Sequence, residues 1–148
     1  MASVKGKKKS MAEQADRHEY YEASVQDTES ELEFVSETFE QLTGRALKSI
    51  REDFCGTGNT ACAWVACGRD HTAVGVDLDE DTLQWGRDHH VSALRKSARE
   101  RVSLVRGDVL DTATDPVDAL LAMNFSYYLF TSRDRLRAYF RAALGALR

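Results

Sequence analysis

Four short, strand-like runs recur along this chain with helix-like segments between them: "ALKSIREDF", "HTAVGVDLD", "RVSLVRGDVLD" and "VDALLAMNF". The centres of the second and fourth are apolar without alternation, as expected of strands covered on both faces. The segments between them follow a different period. In "ELEFVSETFEQLTG", Leu32, Val35, Phe39 and Leu42 fall on one face of a 3.6-residue repeat, and Gly44 is a natural stop. "NTACAWVACG" reads as a helix opened by Asn59 or Thr60 and closed by Gly68, and a third helix spans about Glu80 to Ser97. "SRDRLRAYFRAALGAL" sets Leu136, Phe140, Leu144 and Leu147 on one side and Arg133, Arg137 and Arg141 on the other. Strands alternating with helices at this spacing imply a parallel sheet with right-handed crossovers, a doubly wound α/β fold. A chain of 148 residues is enough for one such domain with a real core.

Charge and composition then exclude several classes. A net charge of −4 does not suit nucleic-acid binding by bulk electrostatics. No apolar run approaches the roughly 20 residues of a membrane helix, and the N-terminus lacks a secretory apolar stretch. Cys55, Cys62 and Cys67 show neither CxxC spacing nor an even count, so they read as reduced, buried thiols of a cytoplasmic protein. Residues 1–18 carry Lys5, Lys7, Lys8 and Lys9 and read as a disordered basic tail that would also serve as a nuclear-import address; the domain proper is 19–148.

In a doubly wound sheet, ligands bind at the carboxyl ends of the strands. After the first come Gly56 and Gly58, with Gly56-x-Gly58-x-x-Ala61 fitting both a dinucleotide turn and a plain tight turn. After the second comes Asp77, 19 positions past Gly58, which suits the two hydroxyls of a ribose. It could instead cap the next helix, a task Asp79 could take over. After the third comes Asp108, placed for an adenine amine if the ribose is on Asp77, with Leu78 and Val109 either side of the ring; alone, it reads as a loop residue. Glu52 and Asp53 lie just before the glycines. Facing a pyrophosphate at about 4 Å, each carboxylate would be repelled by about 4 kcal/mol even at an effective dielectric near 20. S-adenosylmethionine carries an ammonium and a sulfonium and no phosphate, so the acids favour it. A nicotinamide-binding oxidoreductase keeps the glycines and Asp77 and leaves Glu52, Asp53 and Asp108 unexplained.

From about Leu47 to Leu144 the chain resembles the class I S-adenosylmethionine-dependent methyltransferases, whose sheet is Rossmann-like. "EDFCGTG" is similar to their first motif, with Phe54 in place of the first glycine; "VGVDLD" and "GDVLD" are similar to the second and third. Glu52 aligns with the motif acid and Asp53 with the apolar residue after it, and which of the two grips the ammonium stays open. The resemblance implies cofactor contacts from Glu52, Cys55, Gly56, Thr57, Gly58, Asp77, Leu78, Asp108, Val109 and Asn124. Asn124 and Tyr127 have the Asn-x-x-Tyr spacing of the acceptor loop of amino-methylating relatives; aromatics packing at the end of a core strand would look the same. Tyr20 and Tyr21 would cover the methionine end, while His89 and His90 read as structural. No metal is expected, and the methyl acceptor is unidentified.

The family has seven strands in the order 3-2-1-4-5-7-6, and four of them, 3-2-1-4, are legible here. The fourth would then be an edge without a Lys or Pro in its middle to protect it. A truncated methyltransferase with reduced or no activity is the expectation. The further alternative is a non-catalytic module that keeps the fold and acts through a partner chain covering the 117–125 edge, an interaction that mutation of Leu120 or Leu121 would disturb.

Overall fold

The computed structural model describes residues 15–25, 27–123 and 126–148, so Asn124, Phe125 and the Lys5–Lys9 run lie outside the described residues. Strands β1 (Ser49–Asp53), β2 (Thr72–Asp77), β3 (Val102–Arg106) and β4 (Ala119–Leu121) form one parallel sheet in the order β3-β2-β1-β4. Helices α1 (Arg17–Val25), α2 (Thr28–Thr43), α3 (Asn59–Cys67), α4 (Glu80–Gly86), α5 (Lys96–Arg99) and α6 (Arg133–Gly145) flank it. This is the expected α/β Rossmann-like architecture. The first helix begins at Arg17, inside the segment read as tail. No helix among the described residues is long and apolar enough to cross a membrane.

One face of the sheet packs Ile50, Ala73 and Leu121 against Leu32 of α2 and Ala61, Trp64 and Val65 of α3. The other face holds a smaller cluster around Val76, Val109 and Tyr139. The central strand is unexpected in composition: all five residues of "SIRED" are buried. Side chains alternate along a strand, so Arg51 and Asp53 share one face and Glu52 takes the other. The Arg51 guanidinium donates to Asp53 Oδ1 (2.7 Å), the Thr112 carbonyl (2.8 Å), Thr114 Oγ1 (3.2 Å) and the Val109 carbonyl (3.2 Å). Buried charge is tolerated when paired and hydrogen-bonded, and here it staples β1 to the loop after β3.

Helix α2 ends as expected, with Gly44 at φ 71° and its N–H on the Glu40 carbonyl, but Leu42 is left in solvent beyond the core cluster. The helix expected over 80–97 is broken. Asp79 caps α4, a wide π-turn follows over Arg87–Val91, and α5 is a separate short piece. In a regular helix only His89, four residues on, would stack over Trp85. The wider turn brings both histidines to that ring, His89 stacked at 3.9 Å and His90 edge-on at 5.4 Å between centroids.

Helix α6 turns a different face inward from the one its periodicity suggests. Tyr139 is 2% exposed and meets Phe54 and Phe130 at 5.7 and 5.1 Å, while Phe140 and Leu144 are 57% and 72% exposed. Ala142 and Ala143 are half-buried and Ala146 is buried, and Tyr139 lies against Asp53 of the Arg51–Asp53 pair. The fourth strand is also shorter than the apolar run that encodes it. Beside its start, the chain after α6 returns: Leu147 forms a parallel bridge to Val117, and the Arg148 N–H donates to the Val117 carbonyl (3.0 Å).

Candidate functional site

The turn after β1 is shaped by three left-handed residues, Phe54 (φ 57°), Gly56 (φ 56°) and Gly58 (φ 71°). Phe54 thus takes a glycine's conformation, which costs a non-glycine residue about 1–2 kcal/mol. Its ring compensates by joining Tyr139 and Phe130. A Cβ on Gly58 would overlap the Leu104 side chain, and one on Gly86 would fall on the Thr57 carbonyl. The turn is therefore gripped between β3 and α4. Gly56 has open space on its Cβ side, so bare backbone faces outward there.

Asp77, at the end of β2, accepts the Gly56 N–H on Oδ2 (2.8 Å) and the Asp79 N–H on Oδ1 (3.0 Å). It does not cap α4, because Asp79 takes the Asp81 and Thr82 N–H groups instead. Asp108 accepts the Leu110 N–H at 2.9 Å, which orients it in the loop after β3. Asp77, Leu78, Asp108 and Val109 surround a cavity of about 240 Å³, closed by Phe54, Leu129, Phe130 and Arg135. Sites for drug-sized ligands run to roughly 300–1,000 Å³, so this one suits a nucleoside. A smaller cavity, about 80 Å³, opens on the other side of Phe54, between Cys55, Gly56, Thr57, Thr82 and Ser126 and the α1 residues His18 and Tyr21. Tyr20 is on the same helix and exposed. A groove of about 560 Å³ between α2 and α3, lined by Leu32, Trp64, Cys67 and His71, lies away from these strand ends.

The two acids before the turn do not face it as the sequence suggests. Asp53 is turned beneath the sheet to Arg51. Burial raises its carboxyl and the Arg51 hydrogen bond pulls it back down. Tyr139 lies against Asp53 and burial raises its phenol, yet neither Asp53 Oδ2 nor the Tyr139 hydroxyl completes a well-formed hydrogen bond. Glu52 points to the opposite face, where Oε2 accepts the Ala61 N–H at 3.2 Å. It thereby caps α3, whose N-cap is Gly58 rather than Asn59 or Thr60 and has no side chain to offer. Burial pushes the Glu52 carboxyl up to about 8, against the Thr60 hydroxyl and the Ala61 N–H, with Glu31 and Asp77 adding repulsion. Burial also raises the Cys55 and Cys62 thiols, the latter to about 12, which favours their protonated form, whereas Cys67, expected to be buried like them, is exposed.

Among the described residues, the carboxylates that touch the turn are Asp77 and Glu22 of α1, which the sequence does not single out. Thr57 Oγ1 donates to Glu22 Oε1, which also lies 2.7 Å from His90 Nε2. His90 is thus tied to the glycine turn, not remote from it. No local motif marks Glu22; its only signal is its place in an acidic, aromatic segment, "HEYYEA", upstream of β1. Tyr127 packs with the Val76–Val109–Tyr139 cluster and lines neither cavity, whereas its neighbour Ser126 borders the smaller one. Among the described residues no group of His, Cys, Asp or Glu is set to hold a metal ion.

No protein-family profile and no curated protein matches the sequence. Solved structures do match. CalS10, an amino pentose methyltransferase from Micromonospora echinaspora with bound S-adenosylmethionine, superposes with a TM-score of 0.69 at 16% identity, over 88% of this chain and 51% of its own. The plantazolicin methyltransferase BpumL with S-adenosylhomocysteine gives 0.68 at 15%, over 88% and 48%. The glycopeptide N-methyltransferase MtfA with sinefungin gives 0.64 at 19%, over 85% and 47%. The chain therefore has the class I methyltransferase fold and spans about half the length of these structures.

Proposed function

We propose that this chain binds S-adenosylmethionine and belongs to a methyltransferase that acts on an acceptor still to be identified. One observation carries the reading: Asp77, locked at the end of β2 by two backbone N–H groups, borders a nucleoside-sized cavity with Asp108 in its wall. The donor and acceptor set fits the cofactor. Asp77 suits ribose hydroxyls, Asp108 suits an exocyclic amine, and Phe54, Leu78 and Val109 offer apolar surface to a ring. At the turn, Glu22 opposes a pyrophosphate and favours a cationic ligand, whereas Asp77 suits the ribose of either cofactor, so Glu22 sets the nicotinamide reading behind this one.

When bound, S-adenosylmethionine supplies an electrophilic methyl group on a sulfonium. The chain's own contribution is to hold the nucleoside, keep water out with α1 and the aromatic wall, and set the acceptor in line. Ser126 is the described residue best placed on the acceptor side, with Asn124 and Tyr127 in the same segment. Titration calorimetry with S-adenosylhomocysteine tests the reading. The wild type should bind, Asp77→Ala should bind at least tenfold more weakly as charged hydrogen bonds are lost, and NADH should give no heat. Binding of NADH, or no binding of S-adenosylhomocysteine, would overturn it.

A further inference from the structure

A ligand with a free ammonium needs a carboxylate on the open side of the glycine turn. Asp53 is committed to Arg51, and Glu52 to the first turn of α3. Glu22 remains. It comes from α1, a helix that buries none of its residues and is held over the turn by polar and ring contacts. Asp16 Oδ2, just before α1, accepts the Trp85 Nε1–H at 2.8 Å, and the His18 ring lies 5.1 Å from Trp85. This placement brings His18 and Tyr21 into the wall of the smaller cavity and sets the Glu22 carboxylate on Thr57, which lines the same cavity. The Glu22 side chain is only 14% exposed, so water screens it little.

We propose that Glu22 receives the α-ammonium of the cofactor's methionine end, with His90 holding its carboxylate in place. The inference rests on the methyltransferase reading and adds to it a residue from outside the strand ends. It also makes α1 part of the binding site rather than a cover.

The test uses the full chain and two probes in calorimetry: S-adenosylhomocysteine, which has the amino-acid end, and 5′-methylthioadenosine, which lacks it. Glu22→Gln keeps the size and the hydrogen bond from Thr57 but removes the charge. It should weaken S-adenosylhomocysteine at least tenfold and change methylthioadenosine less than twofold. The ligand-side equivalent needs no mutation. N-acetylation of S-adenosylhomocysteine should cost the wild type a similar factor, and that loss should vanish in Glu22→Gln. Equal weakening of both probes, or none, would overturn the role of Glu22 while leaving the cofactor reading intact. A wild type that binds neither probe removes both.

Discussion

Glu52 is a carboxyl group sealed inside the sheet–helix interface, and its protonation is linked to folding. Its pKa rises from an ordinary 4.5 to about 8 on burial, so between these values the folded chain holds a proton that the unfolded chain has lost. Unfolding releases that proton, and stability falls as pH rises across this window, by up to about 1.4 kcal/mol per unit. The stabilisation is fully present below pH 4.5 and is spent by pH 8. The melting temperature should therefore drop between pH 6 and pH 8, and Glu52→Gln, which stays neutral throughout, should flatten the profile. An unchanged slope in that variant would place the titrating group elsewhere. The same residue shows where single-residue reading of the sequence ended. The places of Asp77, Asp108 and the glycines at the strand ends were legible because they follow from the strand boundaries alone. The orientation of Glu52 and Asp53 depends on which face of β1 each occupies. Arg51, two residues before Asp53 and so on its face, was the available signal.

The types of the four strands and of α2, α3 and α6 were legible because periodicity and turn residues are local, whereas α1 and the break after α4 were not. The inward face of each helix was less legible, because that depends on what the neighbouring element offers. Helix α6 shows the distinction: its leucine stripe is the stronger apolar pattern, yet Tyr139 is selected by the Phe54–Phe130 pocket. Helix α4 shows a case where local preference and packing oppose each other. Gly86 sits inside a helical turn with φ −62°, where alanine would ordinarily add about 1 kcal/mol. Here the added methyl would meet the Thr57 carbonyl, which is backbone and cannot swing aside. Overpacking of this kind typically costs 1–3 kcal/mol. Gly86→Ala should accordingly destabilise the chain by up to about 2 kcal/mol net in denaturant titration. Because the displaced group belongs to the glycine turn, it should also weaken S-adenosylhomocysteine. A stabilised variant would mean that α4 does not clamp the turn.

At the scale of the molecule, two helix faces remain uncovered among the described residues, and their charges are opposite. Helix α6 exposes Phe140 and Leu144 among Arg133, Arg137 and Arg141. Helix α2 exposes Phe34 (69%) and Leu42 (81%) among Glu29, Glu33, Glu37 and Glu40, and contains no basic residue. An apolar stripe flanked by arginines is complementary in charge to one flanked by glutamates, and the expected outcome is that the two faces meet between copies of the chain. If α6 of one copy meets α2 of its partner and the reverse, the pair closes by two-fold symmetry rather than growing into a filament. Sedimentation velocity should show a concentration-dependent dimer. Added salt should weaken its charged rim while leaving the apolar centre in place. Phe140→Lys with Leu144→Lys should abolish the dimer and leave the melting temperature of the monomer nearly unchanged, since neither side chain is part of the folded core. A wild type that stays monomeric at every concentration would show that the two faces do not recognise each other.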